Sequence, residues 1–584
     1  MASNTALYTG LSSLNAHARR LDVVGNNIAN SNTTAFKSSR VVFETRFSQN
    51  FKLGSSPSAD MGGTNPGQIG LGVDVAGTLR DFSNGSLQAT GDARDLAIEG
   101  DGFFVVRRGD QNFYTRDGGF RPDETDSLVT IGGDRLMGYP VDDGFNIIEG
   151  QLEPIAVPLG KLRLAEQTTE VGLAGNLNAD GAVATQGGIV DLLGTASSGL
   201  RLTSGPLAAS APDLLLTTSL LTDIEDPLQP GTDAPLFAAG QSLSFSGGEK
   251  GSKTLPDASL EIEATTTVSD LLAFLSSALG IHSTTSANPD GATPGASLDP
   301  ATGRISVAGN TGEANEINLN SENLRLLEAD GSLNRLPFVA DRQASATGES
   351  VRTTMVVYDS LGTAVEVDVS MTMVGKSLSG TTWRYDVQSP ENLGQGLHLT
   401  SGEIQFDTFG QLVDDDPVVV SLSRAGSGAA SPLVFDLGFQ NESGRVTALS
   451  DTPSELAAVF RDGLPAGVLE DFAVAEDGVI QGAFSNGAIR TLGQVPLATF
   501  PNNEGLLDEG AGLFSVGANS GDAVVSRPGS LGSGVIVGGA LELSNVDLGE
   551  EFIDLIVTQT GYNAASRIIQ TTDELMQQLL VLGR

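Results

Sequence analysis

The stretch LYTGLSSLNAHARRLDVVGNNIANSN at residues 7–32 decides the architecture. Leu7, Leu11, Leu14, Ala18, Leu21, Gly25 and Ile28 recur at alternating steps of four and three, the spacing that lines one narrow apolar seam on an α-helix. Ser3 or Asn4 is placed to cap its start. The run NNIANSN (26–32) predicts its end, because Asn competes for backbone hydrogen bonds and tolerates left-handed backbone. The far end of the chain repeats the pattern. Leu548, Phe552, Leu555, Tyr562, Ile569, Met576 and Leu580 trace a seam with gaps at Gln559, Ser566 and Asp573. A second stripe runs beside it through Ala565, Ile568, Leu575, Leu579 and Leu582. Two stripes predict a helix covered from two directions.

The ends are opposed in charge. Arg19, Arg20, Lys37, Arg40 and Arg46 outnumber Asp22 and Glu44 in the first fifty residues, whereas acidic groups dominate after 541. Such helices could simply be hairpin partners. Alternatively, their stripes are unsatisfied in a solitary molecule and become buried when many copies assemble, the segments ordering as they do so.

Between the ends the sequence reads as β throughout. VRTTMVVY, the turn DSLG and TAVEVDVSMTMV fill residues 351–374. Val365, Val367, Val369, Met371 and Met373 alternate with Glu366, Asp368, Ser370 and Thr372, which predicts a half-buried antiparallel strand. Further short strands are expected in 100–120, 401–413 and 477–500. One helix interrupts them: Thr267 caps it with Asp270 three residues on, Leu271, Leu272, Phe274, Leu275 and Leu279 give its apolar face, and Gly280 stops it. The expected fold is therefore a mainly β multidomain chain, its nested β domains flanked by terminal α-helices that pair in a coiled-coil-like inner core.

Composition narrows the function. A net charge of −40 over 584 residues argues against binding nucleic acid. Cysteine is absent, which removes disulfides, thiolate metal sites and cysteine nucleophiles. The 73 glycines and few aromatics suit short strands, turns and mobile connections better than a compact enzyme core. DLLLTTSLL and DLLAFLSSALGI fall short of the ~18–20 residues that cross a membrane, so no membrane insertion is expected. MASNTALYTGLSSLN lacks a basic stretch followed by an apolar one, so a cleavable secretory signal is not expected. Small polar residues cluster at 53–70, 282–303 and 526–540, and the first and last of these are expected to be linkers.

At this point the ends are similar to a known family. NNIANSNTTAFKSSR (26–40) resembles the signature of the bacterial flagellar axial proteins, the rod and hook group, at Asn26, Asn27, Ile28, Ala29, Asn30, Asn32, Thr33, Phe36 and Lys37. The preceding helix and LELSNVDLGEEFIDLIVTQTGYNAASRIIQTTDELMQQLLVL (541–582) are also similar to that family, and DLAIEGDGFFVV (95–106) resembles its first β-domain segment. VGLAGNLNAD (171–180) and VVYDSLGTAVEVDV (356–369) resemble the second domain of its hook members. The resemblance implies a terminal helical polymerisation domain (1–52 and 541–584), linkers (53–70 and 526–540) and an inner β domain (71–148 and 470–525). It further implies an outer β domain (149–184 and 346–469) and an inserted outer domain (185–345). Ala35 stands where the family often has Gly, so the turn before Phe36 is expected to avoid left-handed backbone.

The function so implied is that of a structural hook subunit, an extracellular flagellar component that polymerises into a curved tube and passes motor torque to the filament as a universal joint. Its inner-core interface would comprise Leu7, Leu11, Leu14, Leu21, Ile28, Phe552, Leu555, Tyr562, Ile569, Met576 and Leu580. Its partners would be further copies of itself, the distal rod, hook cap and hook–filament junction proteins, and the flagellar type III export apparatus. A junction or distal rod protein of the same superfamily, or a β-rich surface adhesin, are the alternatives.

No residue pattern calls for a cofactor, a metal or catalysis. Asp414, Asp415 and Asp416 lack EF-hand spacing and read as a solvated turn. GDGFF (100–104) lacks the helix and third glycine of a dinucleotide site and reads as a turn. His17 on the first helix is expected to face solvent or a neighbour. Trp383, the one tryptophan, is expected in the core.

Overall fold

A computed structural model of the chain describes residues 2–195, 198–202, 214–229, 234–283, 286–393, 396–441 and 444–582. The chain forms two compact units, one of Met1–Arg163 with Val468–Arg584, the other of Leu164–Gly467.

In the first unit, helix α1 (Ala2–Ala29) pairs with the C-terminal helix Leu548–Leu582, and the antiparallel hairpin of Ser39–Thr45 with Val73–Arg80 lies against α1. The largest of its sheets, of ten strands, joins segments from both parts of the chain. Phe103–Arg108 pairs with Gln111–Thr115, with Arg135–Gly138 and, from the other end of the chain, with Leu497–Thr499. Phe103, Phe104, Val105 and Val106 are all buried, so this strand is covered on both faces. Phe103 meets Phe82, Phe500 and Phe514 edge-on, while Phe104 meets Phe120 on the opposite face. The glycines of GDGFF take positive φ at Gly100 and Gly102, forming the turn into this strand.

Both expected linkers carry strands. Val535–Gly538 pairs with Leu96–Glu99, and Ile536 is buried. Gly67–Gly70 pairs with Ser48–Lys52. Glycine and serine in these stretches obscured the short run Val535, Ile536 and Val537, whose backbone completes a ladder.

The second unit holds two hydrophobic cores. One lies between a four-stranded antiparallel sheet (Ser350–Tyr358, Ala364–Ser377, Gly380–Gln388, His398–Phe406) and a sheet that includes Glu170–Asn176 and Leu433–Gly438. Trp383 is fully buried there, with Val367, Val369, Met371 and Phe435 in the same core. The other core lies in residues 187–344, between the sheet of Gly187–Leu193, Gly295–Asp299, Arg304–Thr311 and Val339–Ala344 and that of Ser242–Phe245, Ala258–Glu261, Leu324–Leu327 and Leu333–Arg335. Helix α2 (Val268–Ala278) joins this core through Val268, Leu271 and Leu275. Thr267 and Asp270 form its reciprocal capping box, and Gly280 ends it at φ 58°. This core is contiguous from Val190 to Phe338.

The strand Ala364–Ser377 departs from the expected half-burial, for Asp368, Ser370 and Thr372 are buried as well as the valines. Its polar face is covered by the insertion. Lys253 Nζ donates to Asp368 and Glu366 at 2.6 and 2.7 Å, and Arg352 donates to the carbonyls of Lys250 and Ala314 at 2.8 Å each. Polar residues thus occupy a polar interface, which alternation alone cannot distinguish from solvent.

Candidate assembly surface

The two long helices run antiparallel. Ascending α1, Gly10 meets Ala565, Ile568 and Ile569, His17 lies over Gly561, Arg20 pairs with Asp554 at 2.7 Å, and Asn27 donates to Glu551 at 2.8 Å. We designate the C-terminal helix α3 (Leu548–Leu582). Two glycine notches let the helices approach. A Cβ at Gly10 would stand 3.0 Å from Ile569, and one at Gly561 would stand 2.6 Å from the His17 ring. His17 also packs edge-on against Phe43, with ring centroids 5.9 Å apart, so it is a packing residue of the pair and not an outward group. Burial and neighbouring Arg20 lower its pKa.

The covered row of α3 is Glu551, Leu555, Thr558, Tyr562, Ala565, Ile569, Thr572 and Met576, all buried or half-buried. This is a continuous four-three seam in which bulky side chains alternate with small ones. Leu555, Tyr562, Ile569 and Met576 of the expected interface lie on it; Phe552 does not and is 52% exposed. The side chain of Leu580 lies outside the described residues. On α1, Leu7, Leu14, Leu21 and Ile28 are half-buried and Leu11 is 49% exposed, while Gly10, Ser12, Ala16, Val24 and Asn27 are fully buried. Pairing therefore satisfies one stripe of each helix within a single chain. Ala565 of the expected second stripe is thereby covered, but a second apolar face of α3 stays open, with Ile568 and Leu575 of that stripe, Phe552 of the expected first seam, and Ile553, Ile556 and Val557 all exposed. Tyr8 and Leu11 are its exposed counterparts on α1. An apolar stripe of this length on a soluble surface marks an interaction site.

Residues 26–37 hold the two helices in register. Asn30 Nδ2 donates to the Asn26 carbonyl at 2.9 Å and Thr33 Oγ1 donates to Asn30 Oδ1 at 3.1 Å, closing the helix end. Asn27 is completely buried. Its amide donates to the Ser39 carbonyl at 2.8 Å as well as to Glu551, and its Oδ1 accepts from Ser39 N at 3.1 Å. Asn26, Ala29, Asn32 and Thr33 are exposed, Ile28 and Phe36 half-buried. Ala35 takes φ 56°, contrary to expectation. Its buried N–H donates to the Glu542 carbonyl at 2.8 Å, a tertiary bond that outweighs the local cost of left-handed backbone.

Lys37 ends the motif in the protein interior. Its Nζ donates to Glu542 Oε1 and to the Ser83 carbonyl, each at 2.7 Å, and neither charged side chain is exposed. Glu542 also accepts from Gly85 N at 2.8 Å and faces the guanidinium of fully buried Arg116 at 3.6 Å. Arg116 lies over Phe103, 5.3 Å from the ring centroid. Burial pulls the pKa values of Lys37 and Arg116 down, and Glu542 opposes the shift in both. The triad ties the exit of α1 to the approach to α3, a cross-chain bond no local pattern announces. Ser38 N donates to Asn545 Oδ1 at 2.8 Å and extends the same knot.

The charges of this knot are paired in a packed interior. The acidic triplet Asp414–Asp416 is fully exposed on a turn, with Asp416 N donating to Asp414 at 3.3 Å. No helix among the described residues is long and apolar enough to cross a membrane.

Comparison with known proteins gives an ordered set of matches. Residues 7–37 match the family described as flagella basal body rod protein, and 97–188 the flagellar hook protein FlgE/F/G D1 domain. Residues 318–464 match the flagellar basal body protein FlaE D2 domain, and 537–582 the flagellar basal body rod FlgEFG protein C-terminal family. The chain is 29% identical to the flagellar hook protein FlgE of Treponema pallidum over 99% of both chains. It is 27% identical to that of Borreliella burgdorferi, again over 99% of both. With that of Escherichia coli it shares 25% over 99% of this chain and 100% of the other.

Proposed function

Because the chain belongs to the family of flagellar hook and basal-body rod proteins, we propose that its helix pair is the polymerising core of a hook tube and its β domains the surrounding sleeve. The chain is a structural subunit of the flagellar hook and self-assembles there. The observation that carries the assignment of surface is the second apolar stripe of α3, from Phe552 through Ile556 to Leu575, left open after α1 has covered the first. Neighbouring copies bury it, while Leu555, Tyr562, Ile569 and Met576 hold each subunit's own pair together. Leu7, Leu11, Leu14, Leu21 and Ile28 serve both tasks from α1.

The tube bends as it turns, so each row of subunits lengthens and shortens once per revolution and acts as a universal joint. Apolar seams keep the core in register, and the acidic outer domains slide past one another through polar, hydrated contacts. The subunit is exported through the flagellar type III apparatus without cleavage, carries out no catalysis, and meets the distal rod, the hook cap and the hook–filament junction proteins at the ends of the tube.

Phe552→Asp and Ile556→Asp test the surface. The purified variants should keep the helical dichroism and thermal midpoint of the native chain yet form no tubes by electron microscopy under polymerising conditions. Tubes of normal curvature from the double variant would remove the outward stripe from the interface.

A further inference from the structure

Three titratable side chains far apart in sequence converge in the second unit. His282 follows α2, Asp386 lies on the strand Gly380–Gln388, and His398 opens the neighbouring strand His398–Phe406. One nitrogen or oxygen from each lies within 4.8 Å of the other two. The imidazoles of His282 and His398 are stacked, with centroids 3.9 Å apart and planes 16° from parallel. His282 Nδ1 is 3.0 Å from Ser401 Oγ and 3.7 Å from Asp386 Oδ1.

The backbone around this cluster is held firmly. The carbonyl of Gly280 accepts from Lys250 Nζ at 2.6 Å and from Gln388 Nε2 at 2.9 Å. The His282 backbone is held too: its N–H donates to Asn310 Oδ1 at 3.0 Å, and Asn310 Nδ2 donates to its carbonyl at 3.1 Å. Yet the polar atoms at the centre are left over. Asp386 is 3% exposed and its Oδ1 has no hydrogen-bond donor, and buried His398 Nδ1 has no partner. Buried polar atoms are almost always paired, and stacking two imidazoles brings no compensation of that size. The nearby ammonium of Lys250 is engaged by the Gly280 carbonyl.

We propose that His282, Asp386 and His398 form a binding site for a divalent transition-metal ion of the zinc class. Two imidazole nitrogens and one carboxylate oxygen are the donor set of open zinc sites, and small ring rotations bring them to the ~3.3 Å separation of tetrahedral ligands at ~2.0 Å from the metal. The ion would staple the inserted domain, through His282, to the sheet that carries Asp386 and His398, fixing their mutual orientation in a subunit that must transmit force.

Calorimetric titration of the full chain with ZnCl2 at neutral pH tests this. One equivalent should bind, with His398→Gln and Asp386→Asn each weakening binding at least about 100-fold and Asp415→Asn, in the exposed triplet, leaving it unchanged. Co2+ in place of Zn2+ should give the visible absorption of a tetrahedral site. Because a ligand variant could fail to fold, the native chain supplies a second reading: saturating Zn2+ should raise the unfolding midpoint seen by Trp383 fluorescence by about 4 °C. Absence of binding, undiminished binding by both ligand variants, or binding that leaves the Trp383 transition unmoved would each overturn the proposal.

Discussion

The buried triad of Lys37, Glu542 and Arg116 makes an ordering of mutant stabilities that runs against the usual symmetry of an ion pair. Two cations share one carboxylate in a site from which water is excluded. Glu542→Gln takes from Lys37 and Arg116 the carboxylate they share, leaving only the weaker influence of Asp81 and Asp101, and removing one partner of a buried pair typically costs about 3–5 kcal/mol. Lys37→Met removes the charge-assisted bonds to Glu542 and the Ser83 carbonyl, yet Glu542 keeps the Gly85 N–H at 2.8 Å and Arg116 at 3.6 Å. The lost bonds are offset by relief from burying an ammonium, so the net cost should be about 1–3 kcal/mol. A difference of about 2 kcal/mol corresponds to a urea midpoint about 0.7 M lower for Glu542→Gln, given a slope of about 3 kcal/mol/M. The assay is urea unfolding followed by helical far-ultraviolet dichroism, which reports chiefly on α1 and α3. Fluorescence of Trp383, which lies in the other unit, should be unmoved and serves as an internal reference. If Lys37→Met proves the more damaging variant, the charge-counting argument fails.

Three further outcomes follow from the packing. Gly561→Leu places a side chain where the His17 ring now lies, so helical dichroism should fall and tubes should not form, whereas Gly10→Ala, whose Cβ would stand 3.0 Å from Ile569, should destabilise the pair far less because alanine's helix preference of ~1 kcal/mol offsets part of the crowding. His17 has a folded pKa below its unfolded value of 6.5, so the unfolded chain binds more protons between the two. Stability of the helix pair should thus be complete above pH 6.5 and decline as pH falls through that window, and a His17→Gln chain should lose this part of the pH dependence in urea titrations. Thr267→Ala breaks the capping box of α2 and should cost ~1 kcal/mol, read as a lower midpoint in the Trp383 transition, while Thr267→Ser should recover most of it.

What the sequence revealed and what it concealed divide along the range of the interaction. The α2 capping box was legible because Thr267 and Asp270 are three residues apart and satisfy each other. The strand 364–377 and the burial of Trp383 followed from alternation and size. The seam of α3 was half legible: Leu555, Tyr562, Ile569 and Met576 announce themselves, but Thr558 and Thr572 look like surface residues, and Ala565 reads as part of a neighbouring stripe, until α1 is seen lying close over them. A search for small residues at alternating steps would have found that row. Ala35 was misjudged because its conformation is set by Glu542, over five hundred residues away. The same distance hid the role of Lys37. The His282–Asp386–His398 cluster was invisible for a related reason, since two strands and a helix end have to be folded before those side chains meet.

The Lys37–Glu542 knot has a geometric corollary. Apart from the hairpin packed along α1, the chain departs from the helical pair and comes back to it through this small locked junction, which fixes the two entering segments whatever is threaded between them. Extra domains can be spliced in between, or trimmed away, without changing the spacing of those two segments. A tube built on these helices could therefore keep one inner bore while its outer girth evolves freely.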